Sequence, residues 1–298
     1  MTGKRELRER IAANSKGQLT IAAAQMKFRA EIGENVSWIT KVIRCTARTG
    51  SDVILFPECA VTGYNCDFAK ISRAQIEVAL QTIASEARAT RTCVLVGSPT
   101  FSGSKRFNSL VIFDRQGRRI FCYSKIHLTT RDKRFFSPGD ILALFRIAGV
   151  PCTAIICHER RYPELVRLPV MLGAQVVFHP NAGLDSLPVS KSKRHGRDGI
   201  VARAFENEVY YVFANSVGPQ GDGLWSAGDS KIVAPDSRVL ALANHRDETV
   251  IQAKIDLSLA GRQYAREALQ QPAFLRTHWR EMITACRRQL QNSVCTQV

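Results

Sequence analysis

Residues 154–165 read AIICHERRYPEL. Three apolar residues, Ala154, Ile155 and Ile156, lead to Cys157, and His158, Glu159, Arg160 and Arg161 follow at once. A cysteine that only fills a core needs no such neighbours. A nucleophilic cysteine does, because the thiolate attacks and nearby positive charge lowers a thiol pKa from about 8.5. Two other apolar runs end in the same way: VILFP delivers Glu58, and IFCYS delivers Lys125. Ligands in open α/β sheets favour strand ends of this kind. Taken singly, each has a plain packing explanation: a solvated turn glutamate, a lysine on the outer face of a hairpin, a core cysteine. Together they answer one chemical problem. Amide hydrolysis needs a nucleophile, a base to activate it, an acid for the leaving amine and a positive group for the oxyanion. Cys157 can attack. Glu58 can take the thiol proton and return it to the amine. Lys125, with a backbone N–H just after the nucleophile, can stabilise the oxyanion. This chemistry calls for neither metal nor cofactor.

The elements that must position these groups follow from hydrophobic periodicity. The early chain alternates strand and helix: strand 19–25, helix 34–50, strand 52–58, helix 71–90 and strand 93–99. In the first helix Val36, Ile39, Val42 and Ile43 recur at helical spacing. This rhythm implies strands covered by helices. The middle changes to hairpins: 108–128 reads strand, turn and strand, with Asp114–Gly117 as the turn, and LFRIAG and PCTAIIC form a second pair. Helix 163–173, strand 174–180, a loop, helix 197–207, strand 209–216, a hairpin around Pro235-Asp236 and strand 249–256 complete the reading. The mixture of βαβ units and hairpins suits two mixed sheets facing each other with helices outside. From Gln271 the chain reads as an amphipathic helix, with Phe274, Leu275, Trp279, Met282, Ile283, Cys286 and Leu290 on one stripe. That stripe can seal the domain or reach a partner subunit.

Composition narrows the function classes. The 298 residues suffice for one large α/β domain with a sizeable core, and no stretch is apolar enough to cross a bilayer. The first residues, MTGKRELRERIAANSKGQ, mix basic and acidic side chains with no apolar run behind them, so they read as a solvated arm rather than a signal peptide. The nine cysteines are odd in number, scattered and without a CxxC pair. Neither a disulfide framework nor a zinc site is expected, and a reducing cytoplasm fits. The net charge of +16 comes from Lys and Arg spread along the whole chain. Its densest cluster, KSKRHGR at 191–197, lacks interleaved aromatics, so no specific nucleic-acid binding is expected.

With these residues in hand, a resemblance emerges to the nitrilase, or carbon–nitrogen hydrolase, superfamily. It covers about residues 18–267. LFPECAVTGY resembles the family's glutamate motif, YSKIHL its lysine motif and CHERRYPEL its cysteine motif, and RAFENEVYYVFAN and GDSKIVAPDSRVLA resemble later landmarks in the right order. The resemblance implies an α/β fold, a four-layer αββα sandwich of two mixed sheets flanked by helices, with subunits pairing into a homodimer or a higher even-numbered oligomer. On that basis 1–17 is a basic arm, 18–267 the hydrolase domain and 268–298 a helical extension at an oligomer contact. It also implies Glu58, Lys125 and Cys157 as the catalytic triad. Family members often have a second glutamate shortly before FxPG; Asp132, one methylene shorter, stands at that place in TTRDKRFFSPGD.

The expected function is cleavage of a non-peptide carbon–nitrogen bond, amide or N-carbamoyl, through a cysteine thioester. Nitrile hydrolysis is one alternative, although nitrilases tend to carry tryptophan and glutamate after the cysteine, where this chain has His158-Glu159. A non-enzymatic binding protein on the same fold is the other. CHERRYPE resembles the carbamoylase form of the motif, in which paired arginines hold a substrate carboxylate. Arg160 and Arg161 would do so here, against the plainer reading of Arg161 paired with a carboxylate such as Glu164. His158 is expected to be poorly placed as the base for Cys157, since adjacent strand residues point to opposite faces. With Tyr64, His179 and Asn181 it is instead a candidate for the pocket wall.

Overall fold

The computed structural model describes residues 17–193, 199–270 and 272–295, with side chains described as far as Gln289. The basic arm before Gly17, most of the 191–197 cluster and the Leu290 side chain lie outside the described residues.

Two six-stranded sheets form the centre. The first runs β15-β1-β2-β3-β4-β5, from β1 (Gln18–Gln25), β2 (Val53–Leu55), β3 (Cys93–Ser102), β4 (Lys105–Phe113), β5 (Arg119–Ser124) and β15 (Thr249–Asp256). The second runs β14-β13-β10-β8-β7-β6, from β6 (Phe145–Ile147), β7 (Val150–Ala154), β8 (Val176–Asn181), β10 (Tyr210–Asn215), β13 (Lys231–Val233) and β14 (Val239–Leu242). Each has three parallel strands at its centre and antiparallel neighbours outside them.

Strand alternation divides the apolar residues between two layers. Leu19, Ile21 and Ala23 of β1 face inward with Val53 and Leu55, and meet Cys152, Ala154, Phe178 and Val212 of the opposite sheet. Ala22, Ala24 and Ile54 face outward against α1 (Ile32–Arg48) and α2 (Arg73–Thr90). Val177, Tyr211 and Phe213 face outward from the second sheet toward α3 (Glu164–Met171), α5 (Ile200–Asn207) and α6 (Gln263–Glu267). The expected αββα order is therefore present. Ser72 and Gln75 close a reciprocal cap on α2, which fixes where that helix starts.

A third, small sheet was not foreseen. β9 (Asp185–Ser186), β11 (Val217–Gly221) and β12 (Leu224–Ala227) pair antiparallel, and α4 (Leu187–Ser192) occupies part of the expected loop. VGPQG carries two glycines and a proline and gives little strand signal. The C-terminal stripe divides. In α7 (Ala273–Cys295), Ile283 and Cys286 are buried against Leu168 of α3, sealing the domain, whereas Phe274 is 75% exposed. Among the described residues no helix is long and apolar enough to cross a membrane.

Candidate active site

Glu58 and Lys125 each lie just beyond a strand of the first sheet, after β2 and β5. Two glycines let their loops come close. A Cβ on Gly97 would lie 2.7 Å from the Glu58 Cα and would strike the Pro57 carbonyl, and one on Gly139 would strike the Ser124 carbonyl beside Lys125. Both side chains are wholly buried, and Lys125 Nζ donates to Glu58 Oε1 at 2.7 Å. Asp132, also buried, accepts from Lys125 Nζ at 2.8 Å through Oδ2, which also accepts from the Thr129 N–H at 3.0 Å and hydroxyl at 2.9 Å. The shorter aspartate thus still reaches the lysine, because the turn at 129–134 brings it in.

Burial opposes the Lys125 charge, but Glu58 above all, then Cys157, Tyr64 and Asp132, hold its pKa well above the ordinary lysine value. Burial likewise pushes the Asp132 carboxyl up, and Lys125, the Tyr64 hydroxyl and Thr129 outweigh it, leaving the pKa lowered. The cluster is therefore a buried ion triad with one cation between two carboxylates.

Asn108, which the sequence reading passed over, completes it. Its amide donates to Glu58 Oε1 at 2.8 Å and to Asp132 Oδ1 at 3.4 Å, standing between the two acids. A buried asparagine in the strand RFNSLVIF was the signal, since asparagine is depleted in strands.

Cys157 stands across the cleft on the second sheet. β7 ends at Ala154, and Cys157 opens a tight helical turn, Cys157–Arg161, with φ of +52°. A non-glycine residue in that region costs on the order of 1–3 kcal/mol, so its surroundings must hold it there. They do so at both ends. The Cys157 carbonyl meets His179 Nε2 at 3.0 Å, and the Glu159 carboxylate accepts from the Ile156 N–H at 2.7 Å. Glu159 also accepts from the Ile126 N–H at 2.7 Å and the Tyr123 hydroxyl at 2.9 Å, on the lysine segment. It is buried and ties the two sheets' reactive segments together, a role the motif alone did not reveal.

The thiol corrects one expectation. Lys125 and Arg160 do lower its pKa, but burial, then the charge of the Glu58 carboxylate, dominate and push it up to about 12. At rest Cys157 is a neutral thiol beside a base, not a standing thiolate.

The proposed pocket residues separate into two groups. A cavity of about 320 Å³ is lined by Cys157, His158, Arg160, Arg161 and Asn181, together with Asp185 and Lys193 among others. Tyr64 and His179 do not line it. Tyr64 is buried with its hydroxyl on Asp132 Oδ1 at 2.6 Å, and His179 is buried between Cys157 and the Tyr211 hydroxyl, 3.0 Å from its Nδ1. Both ends of apolar runs turn inward because a buried polar tip needs a partner. The strand-alternation reasoning for His158 also fails, since Cys157 and His158 share a turn rather than a strand. His158 packs edge-on to Tyr162, and burial and the charges of Lys125, Arg161 and Arg160 lower its pKa. Arg161 is exposed and, among the described residues, forms no ion pair with Glu164.

Similarity to known proteins bears on the family and the fold. The family model described as carbon-nitrogen hydrolase matches residues 20–265. A nitrilase of Pyrococcus abyssi (strain GE5 / Orsay) is 32% identical over 238 residues, 77% of this chain and 86% of that protein. An (R)-stereoselective amidase of a Pseudomonas species is 33% identical over 215 residues, 71% of this chain and 76% of that one. Among solved structures, an amidase from a Nesterenkonia species superposes with a TM-score of 0.77 at 24% identity, covering 89% of this chain and 97% of that one, and shares its fold. With most of its length matched and its two-sheet sandwich shared, the chain belongs to the carbon–nitrogen hydrolase family.

Proposed function

We propose that the chain is an amidase-type hydrolase that cleaves a small amide or N-carbamoyl compound through a thioester on Cys157. The observation that carries this reading is the buried Glu58 carboxylate, which accepts from Lys125 Nζ at 2.7 Å and whose charge, next to burial, helps to keep the Cys157 thiol protonated. Glu58 takes the thiol proton as sulfur attacks the carbonyl carbon. Lys125 and the N–H after Cys157 stabilise the oxyanion. Collapse expels ammonia or an amine, protonated by Glu58, and leaves the thioester. Glu58 then deprotonates a water, which attacks the thioester and frees the acid and the thiol. A thiol held near 12 suits this sequence, because its proton leaves only as the bond to carbon forms.

Arg160 and Arg161 line the cavity, and among the described residues no side chain pairs with their guanidinium groups, which favours a substrate with a carboxylate. The eight described cysteines are all free, in keeping with a reducing cytoplasm. We further propose a homodimer or higher even-numbered homo-oligomer. Exposed Phe205, Leu259, Tyr264 and Phe274 offer the apolar surface such a contact needs.

A panel of small amides, N-carbamoyl amino acids and nitriles tests the reading by ammonia release, with Cys157→Ala as the control. Release from amides or carbamoyl compounds is expected, and lost in the control. Release from nitriles alone would make the protein a nitrilase. Silence across the panel would favour a binding protein.

A further inference from the structure

Asn181 ends β8 and lines the same cavity as Cys157, yet it is only 5% exposed. Its neighbours tether it to both reacting groups. His179, two residues before, meets the Cys157 carbonyl, and the Ala182 N–H donates to Glu58 Oε2 at 3.2 Å. The orientation of its amide is set by a relay. The Gly228 carbonyl can only accept, so Asn215 presents Nδ2 to it, at 2.7 Å. Asn215 Oδ1 is thereby turned toward Asn181, which must answer with its own Nδ2, at 2.8 Å. Asn181 Oδ1 is left as an acceptor. It is buried and has no hydrogen-bond partner among the described residues. An unmet buried acceptor is costly, and one in a binding cavity is met by a ligand donor.

Building on the hydrolase reading above, we propose that Asn181 Oδ1 accepts an N–H on the acyl side of the substrate, next to the scissile carbonyl, and so selects ureido compounds. In R–NH–CO–NH2 that N–H is present. In R–CH2–CO–NH2 a methylene takes its place and leaves the oxygen unmet. On attack by Cys157, ammonia leaves and the R–NH–CO group stays on sulfur, so the hydrogen bond persists in the acyl-enzyme. Water then releases R–NH–COOH, which loses CO2 to give the amine.

N-carbamoylglycine and succinamic acid differ only in NH against CH2 at this position and share the carboxylate. Their dissociation constants are to be measured by calorimetry on Cys157→Ala, Cys157→Ala/Asn181→Ala and Cys157→Ala/Asn181→Ser, and kcat/KM on the parent, Asn181→Ala and Asn181→Ser. Losing the acceptor is expected to weaken N-carbamoylglycine by about 3- to 12-fold and succinamic acid by less than about 2-fold. Serine is too short to reach the cavity and should show the same selective loss, which covers an alanine variant that folds poorly. Equal effects on both compounds, or none on either, would overturn the proposal while leaving the hydrolase reading in place. Failure of the parent to hydrolyse N-carbamoylglycine, while it releases ammonia from other amides of the panel, would also overturn the proposal; only silence across the whole panel would overturn the hydrolase reading with it.

Discussion

On the first-sheet side of the cleft, Glu58, Lys125 and Asp132 are wholly or almost wholly buried, and each is held by at least two hydrogen bonds. On the second-sheet side, Cys157, His158 and Arg160 are half-buried and Arg161 is exposed, and they face an open cavity. The difference separates two tasks. Proton transfer and oxyanion stabilisation need charges whose positions are fixed before reaction, and burial with cross-bonding fixes them. Choosing a substrate needs groups that are still free to bind it. Glu159 lets the two sides differ in solvation without drifting apart, since its carboxylate holds backbone from both.

The largest effect expected is from Cys157→Ala. Without the nucleophile only binding and oxyanion stabilisation remain, so turnover should fall by more than about 1000-fold. The fold should persist, because alanine keeps the Cys157 backbone and its bond to His179. Activity near the parent value would refute the proposed chemistry. On the buried side, Glu58→Gln and Lys125→Ala should each reduce kcat by about 100- to 1000-fold. Lys125→Ala should also destabilise the protein, as it leaves two buried carboxylates without their cation. Loss of activity with unchanged stability would show that the cluster is not the coupled triad described.

Glu159→Gln attacks the link between the sides. Oε1 accepts from Ile126 and Oε2 from Ile156, while the Tyr123 hydroxyl meets both. Glutamine turns one of these acceptors into a donor and sets it against an N–H. About 1–3 kcal/mol of stability should be lost, and kcat should fall with KM little changed, because the reacting groups shift while the cavity stays. Denaturant titration and steady-state kinetics read the two. Glu159→Asp, which keeps both acceptors, should recover part of the loss, and no recovery would mean that the glutamate acts through packing alone.

The same contrast governs what could be read in the sequence. The buried side was legible because apolar runs that end on a glutamate and a lysine announce strand ends, and β1, β2, β3, β5 and β15 fall where periodicity places them. Asn108 was hidden, since one polar residue in a strand does not say which neighbour it serves. Tyr64 and His179 were put at the rim for a related reason: periodicity gives the strand end but not the direction of a polar tip. Nothing in the residue type foretells a positive φ at Cys157, which is imposed by tertiary hydrogen bonds. The small third sheet, at the cavity's edge, joins a hairpin, whose first strand VGPQG gives little strand signal, to the two-residue β9, a pairing distant in sequence.

On the open side, Arg160→Ala should act on selection. The Arg160 carbonyl is gripped by Arg203 at 3.1 Å, which sets the backbone while the guanidinium stays available. A charge-assisted bond to a carboxylate is worth roughly 1.5–3 kcal/mol, about 10- to 150-fold in affinity. The parent should prefer an N-carbamoyl amino acid to its ester, and Arg160→Ala should erase the preference mainly through KM. A parent that favours the neutral ester would mark a general aliphatic amidase instead.

The smallest effect expected concerns His179, where the two sides meet in stability rather than rate. Burial, then the charge of Arg160, lower its pKa to about 3, and the hydrogen bond to the Cys157 carbonyl only partly offsets them. An unfolded chain protonates this histidine below about 6.5, while the folded one keeps it neutral down to about 3. Between those values the unfolded state binds more protons. The stability due to neutral His179 is therefore complete above about pH 6.5 and declines as pH falls toward 3, by at most about 1.4 kcal/mol per unit. Asp132 acts with the same sign, but its lowered pKa confines its loss to pH values below the ordinary carboxylate range. His179→Gln keeps a polar side chain and removes the titration. Unfolding free energies at pH 7.5, 6.0 and 5.0 should thus fall less steeply for the variant than for the parent. Parallel profiles would mean that His179 takes up a proton in the folded protein after all, and that its contact with Cys157 is looser than the buried geometry requires.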